Sequence, residues 1–181
     1  MKQKQTDNSY LADKVALRLN NIPKKERLSV IDAYHGAGTI WKNIQKKYPG
    51  KINILKIDKE EKDNESFIFI GDNEKYLSSL NLSNYDVIDL DAYGVPYEQL
   101  KILFDKKYHG VVFVTFIQTV MGGLPFEFLS DLGYTKNMVE KCPTMFFKNG
   151  LEKFKNWLWL NGVKKIRIRC HGRKNYLAFQ I

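Results

Sequence analysis

The chain is 181 residues long, with 44% hydrophobic and 27% charged residues, close to globular averages, which excludes a fibrous chain and argues against disorder. No apolar run approaches the ~20 residues needed to span a bilayer, and the polar start MKQKQTDNSY argues against a secretory leader. The net charge of +9 is uneven: Lys141 to Ile181 holds ten basic residues and one acid, Glu152, so this segment carries the whole excess. A neutral body with one basic region points to an anionic partner; a lysine-rich surface kept soluble is the plainer reading. Cys142 and Cys170 have neither CxxC spacing nor a histidine at zinc spacing, so no metal site and no disulfide dependence is expected. These features predict one domain over residues 1–181, cytoplasmic and not membrane-associated.

Met1 to Asp7 reads as a polar tail. Leu11, Val15 and Leu19 then recur at helical spacing, with Ser9 as a cap, until Pro23 ends the run; tail and helix together fill residues 1–25. Strands are predicted at 29–34, 52–58, 66–71, 85–91, 110–117, 164–170 and 175–181. Helices are predicted between them at 39–47, 74–80, 96–104 and about 148–160. The first strands are nearly continuous apolar runs, as expected when both faces are covered. Strand–helix alternation predicts an α/β fold with a doubly wound, mostly parallel sheet. Two stretches depart from that plan. KEEKDNE, between the second and third strands, is short for a crossover and predicts a reduced or missing helix. Residues 118–147 are long and mixed, and are expected to form a lid or substrate-binding segment.

The first strand runs into DAYHGAGT, residues 32–39. Gly36 and Gly38 permit a tight turn and close approach of a ligand to the backbone. Trp41 stands where a dinucleotide fingerprint has its third glycine, and no Gly-Lys-Ser/Thr follows, so this is no P-loop. Acids follow in step. Asp32 precedes the loop, and Asp58 ends the second strand 20 residues beyond Gly38. In doubly wound folds a carboxylate there accepts hydrogen bonds from ribose hydroxyls. Asp72 and Asn73 follow the third strand, where a carboxylate and an amide can read an adenine amino group. Asp89 and Asp91 end the fourth strand. Any one of these acids reads equally well as a cap or turn residue; the series marks the carboxyl edge of the sheet, where such folds bind ligands.

DAYHGAGT, Asp58, GDN and DLDAYG together resemble the motif series of class I S-adenosylmethionine-dependent methyltransferases, over roughly residues 28–117. The resemblance implies a Rossmann-like sheet of seven strands in the order 3-2-1-4-5-7-6, the last antiparallel, with helices on both faces. It implies S-adenosylmethionine as cofactor, held by Asp32, Tyr34, His35, Gly36, Gly38, Thr39, Asp58, Asp72, Asn73 and Asp89; local packing is an equal reading for His35. Within that superfamily DLDAYGVP, residues 89–96, looks most like the tRNA guanine-N2 dimethyltransferases, whose core motif is D-x-D-P-F-G-S-P. Asp89, Asp91, Gly94 and Pro96 match, Tyr93 replaces the phenylalanine, and Ala92 replaces the proline. The large C-terminal domain of those enzymes has no counterpart here, which suggests a partner subunit for substrate recognition.

An exocyclic amine on a purine is a poor nucleophile because its lone pair is delocalised. A carboxylate that accepts its N–H bond favours the reactive geometry, and an adjacent aromatic can stack on the base. The resemblance gives Asp91 the first role and Tyr93 the second, with Asp89 sharing either; a capped turn with Tyr93 in the core is the plainer reading. In KKIRIRC, Lys165, Arg167 and Arg169 alternate with apolar residues and so share one face, and Arg173 and Lys174 follow in the turn. Such a row can hold phosphates or protect a sheet edge. The expected function is methyl transfer to an exocyclic amino group of a nucleic-acid base, RNA more than DNA. The alternatives are DNA adenine, a protein side chain or a small molecule as acceptor, and a non-catalytic cofactor-binding subunit.

Overall fold

The computed structural model describes residues 9–60 and 67–181. The polar tail and residues 61–65 of the KEEKDNE connection lie outside them. Seven strands form one sheet: β1 (Arg27–Asp32), β2 (Lys51–Asp58), β3 (Ile68–Ile70), β4 (Val87–Leu90), β5 (Val111–Ile117), β6 (Ile166–His171) and β7 (Lys174–Gln180). Their order is β3-β2-β1-β4-β5-β7-β6. All neighbours pair in parallel except β7, which is antiparallel to both β5 and β6. This is the Rossmann-like methyltransferase sheet that the sequence motifs implied. The predicted strands are all present, with ends shifted by at most two residues. β3 has only three residues and is half-buried to exposed at the sheet edge.

Alternation of side chains across the pleat divides the core in two. Leu28, Val30, Val87, Phe113, Tyr176 and Ala178 point to one face, where α1 (Leu11–Leu19) and α2 (Thr39–Gln45) cover them. Ile31, Ile88, Leu90, Val112, Val114 and Leu177 point to the other. That face is closed by α3 (Asn73–Ser79), α4 (Tyr97–Asp105), α5 (Phe126–Asp131) and α7 (Phe146–Leu160). Phe154 of α7 stacks on Phe116 at 4.5 Å and lies beside Trp157 at 5.8 Å.

Residues 118–147 fold into a short 3-10 turn, α5 and α6 (Lys136–Lys141) before α7 begins. Phe128, Leu129, Leu132, Tyr134 and Phe146 from this stretch are buried in the core, and Gln118 donates to the Phe146 carbonyl at 2.8 Å. Much of the expected lid therefore serves as a wall: apolar side chains at this density are held by the transfer free energy of burial, about 1.5–3 kcal/mol each.

The N-terminal helix also differs in detail. Tyr10, not Ser9, occupies the position before its first turn, in left-handed backbone and with no side-chain cap. Its buried residues are Val15 and Leu17 together with Lys14 and Arg18. Burial of two cations on a helix requires acidic partners, and these lie at the end of β4.

Candidate cofactor and acceptor site

The loop after β1 is built around a buried histidine. His35 donates its backbone N–H to the Ile57 carbonyl at 3.0 Å, and its Nδ1 lies 2.8 Å from Asp32 Oδ2. Its ring fills the space beneath Gly38, where a Cβ would meet Cε1 at 2.6 Å. Gly38 also has a φ of +65° and Gly36 one of +56°, a region costly for other residues. His35 thus takes the packing role, with Asp32 as its partner. Thr39 opens α2 and accepts the Asn43 side chain at its carbonyl, 2.8 Å away.

Asp58, the last residue of β2, accepts the Gly36 N–H at 2.6 Å through Oδ2 and the Glu60 N–H at 3.2 Å through Oδ1. The glycine loop and the strand-end acid expected to share a ligand are therefore in direct contact.

Asp72 and Asn73 follow β3 as expected, and each also makes a structural contact. Asp72 is the N-cap of α3 and accepts from the Glu74 N–H at 3.1 Å. Asn73 is buried. It donates to the Ala33 carbonyl at 2.8 Å and accepts from Gln99 at 2.9 Å. That amide joins β1, α3 and α4, a role that its cap-like spacing after the strand hid. Tyr34 is half-buried beside Asn73. Burial pushes its phenol up to about 12, against the lowering hydrogen bond with Asn73, so it stays neutral.

Asp89 requires a larger correction. It is 1% exposed. Arg18 grips it with two bonds, Nε to Oδ2 at 2.6 Å and an Nη to Oδ1 at 2.7 Å, and the Trp41 indole donates to Oδ2 at 2.8 Å. Burial pushes the Asp89 carboxyl up to about 6, with Arg18 pulling it back. Burial likewise opposes the Arg18 charge, yet Asp89 holds that guanidinium above its ordinary value. The two-bond geometry fastens α1 to the sheet and leaves Asp89 no face toward a substrate.

Asp91 lies just beyond β4. It accepts from Lys14 at 2.7 Å and from the Thr115 hydroxyl. Burial opposes its charge, but Arg18 and Lys14, with the bonds from Lys14 and Thr115, hold its carboxyl below the usual value. Its environment thus favours the carboxylate form at the carboxyl edge. Tyr93, two residues on, is 80% exposed and belongs to no core.

Lys14, Arg18, Trp41 and Thr115 were not among the predicted site residues. The signal was present in the sequence: cations at i and i+4 on a helix, acids at i and i+2 on a strand. Among the basic residues, Arg167 and Arg169 are exposed on β6, and Lys165 is exposed just before it. Arg173 departs from this row, its guanidinium lying 3.7 Å over the Phe147 ring. Lys174 begins β7 opposite His171.

No protein-family model matches the sequence, and no curated protein sequence matches it. Solved structures share its fold. A SAM-dependent methyltransferase from Archaeoglobus fulgidus aligns with a TM-score of 0.55 at 14% identity, covering 94% of this chain and 93% of its own. A precorrin-6y C5,15-methyltransferase from Geobacter metallireducens aligns at 0.56 and 13%, covering 100% and 92%. A phosphoethanolamine N-methyltransferase 2 from Haemonchus contortus, in complex with S-adenosyl-L-methionine, aligns at 0.57 and 10%, covering 93% of this chain and 51% of its own. At these identities the likeness is one of fold.

Proposed function

We propose that the chain is an S-adenosylmethionine-dependent methyltransferase whose acceptor is an exocyclic amine of a nucleic-acid base, RNA more than DNA. The observation that carries the cofactor assignment is the contact between Asp58 at the end of β2 and the glycine loop at the end of β1, the Gly36 N–H donating to the carboxylate at 2.6 Å. The residue set suits a nucleoside: a strand-end carboxylate, an acceptor for ribose hydroxyls, beside a glycine loop. The fold it shares with solved methyltransferases supports the same reading.

S-adenosylmethionine supplies a methyl group already activated on a sulfonium, so the protein's task is proximity and orientation. Asp58 would hold the ribose, and the loop from Tyr34 to Thr39 would bind the rest of the cofactor. Asp91, kept ionised by Lys14 and Arg18, accepts the N–H of the acceptor amine and stabilises the positive charge that develops on nitrogen. Tyr93 stacks on the base from its exposed position. The match of DLDAYGVP to the guanine-N2 motif supports an amine acceptor.

The test measures methyl transfer to RNA, DNA and protein pools. RNA is the expected acceptor. Asp91→Asn, chosen because it preserves shape and spares Lys14 an empty partner site, lowers turnover about 100-fold while S-adenosylhomocysteine affinity stays unchanged. Full turnover in the variant would contradict the role given to Asp91.

A further inference from the structure

β6 is the last strand of the sheet, and its two faces differ. Ile166 and Ile168 pack toward the core, while Arg167 and Arg169 point to the face that carries α1. There they line a groove of about 560 Å³ together with Leu17, Asn20 and Asn21 at the end of α1 and with Ile166 and Ile168 of β6 itself. Neither arginine enters an ion pair among the described residues. Nor are they needed to cap α1. Near its end the carbonyls of Ala16, Arg18 and Leu17 accept from the backbone N–H groups of Asn20 and Ile22 and from the Asn21 side-chain amide, at 3.0, 2.9 and 2.7 Å.

The groove has a direction. β6 runs parallel to β5, since both are antiparallel to β7, and His171 lies level with Ile117 at the carboxyl edge of the sheet. Residues two apart on a strand are separated by about 6.7 Å, comparable to the distance between neighbouring phosphates of an extended nucleic-acid strand. Lys165, Arg167 and Arg169 therefore form an even ladder that ends at His171. The Tyr10 ring stacks on His171 at 3.8 Å and remains 51% exposed. Tyr10 leads into α1, whose Lys14 reaches Asp91.

We propose that the α1–β6 groove is a track for the sugar-phosphate backbone of single-stranded nucleic acid. Arg167 and Arg169 each hold a phosphate, and Tyr10 stacks a base where the strand arrives at the carboxyl edge. This rests on the nucleic-acid acceptor proposed above and names the surface that presents it. A concave site lined by two uncommitted guanidiniums and two asparagines exceeds what edge protection requires, for which exposed charges alone suffice.

The experiment is fluorescence anisotropy of a labelled oligouridylate of about 12 nucleotides, within the range of single-strand sites, titrated across salt concentrations. Arg167→Gln with Arg169→Gln should weaken binding at least tenfold and flatten the log–log salt slope by about 1.4, at ~0.7 for each phosphate released. Tyr10→Gly, which suits the left-handed backbone there, should weaken it about fivefold or more with the slope unchanged. Lys148→Gln with Lys155→Gln removes the same charge from α7 and should matter little. Equal losses from the groove pair and the α7 pair, or no oligonucleotide binding at low salt, would overturn the proposal. S-adenosylhomocysteine binding is measured on the same proteins. Its loss in Asp58→Ala with oligonucleotide binding intact supports two separate sites. Oligonucleotide binding with no cofactor binding even in the wild type would sink the methyltransferase reading alone.

Discussion

Asp91 shows how one side chain is set by several neighbours. Its carboxylate is mostly buried, which alone would favour the neutral acid, but Arg18, Lys14 and Thr115 reverse the balance and lower its titration. A group whose folded value is depressed contributes stability above its ordinary range and loses it as the pH falls through the folded value. The contribution of Asp91 should accordingly be lost as the pH falls below about 5 and through the lowered folded value, and Asp91→Asn should lose distinctly less stability over that interval. Urea denaturation of both proteins at several pH values reads this directly, and parallel acid limbs would contradict the assigned pairing. Other residues at the carboxyl edge were legible only as a class. The strand-end acids are where the spacing places them, yet sequence alone does not reveal whether a carboxylate faces a ligand, caps a helix as Asp72 does, or sits beneath a cation as Asp89 does. That choice is made by partners distant in the chain, 71 residues away for Arg18 and Asp89.

Among the elements, α1 is the one whose role the apolar pattern understated. Leu11, Val15 and Leu19 define a stripe, but the helix is fastened by Lys14 and Arg18 to Asp91 and Asp89. Periodicity weighs apolar residues only, and a buried ion pair is invisible to it until both partners are placed. Breaking such a pair from one side leaves a buried charge and typically costs 3–5 kcal/mol, whereas replacing both partners by apolar groups can be nearly neutral. Arg18→Met should therefore destabilise the protein by about 3–4 kcal/mol, moderated by the Trp41 N–H that remains on Asp89. Arg18→Met with Asp89→Leu should recover most of the loss. Denaturant midpoints of the two single variants and the double variant decide it; additive losses would mean that the pair does not anchor the helix. Residues 118–147 teach the converse lesson. Length and mixed composition suggest a lid, while the apolar positions within it, Phe128, Leu129 and Leu132, were the sign of a wall.

At the scale of the molecule, alternating strand and helix signals, the continuous apolar runs and the closing pair KKIRIRC and NYLAFQI were enough to lay out the sheet, with β7 antiparallel as implied. Such features are local in sequence, so a single chain displays them. The charge segregation was equally legible, and the structure divides it. Arg173 is spent on Phe147, whereas Arg167 and Arg169 line a groove on the face bearing α1. The molecule thus sets a ligand edge, a helix clamped across one face of the sheet by buried charges, and a cationic margin on that same face. Among the described residues no helix is long and apolar enough to cross a membrane. The cofactor assignment stands or falls on the first of these features. Titration calorimetry with S-adenosylhomocysteine on the wild type and Asp58→Ala is the most direct measurement. One site per chain is expected in the wild type and a weakening of about 1.5–3 kcal/mol in the variant, the scale for charge-assisted hydrogen bonds. No binding by the wild type, or equal affinity in both proteins, would contradict it.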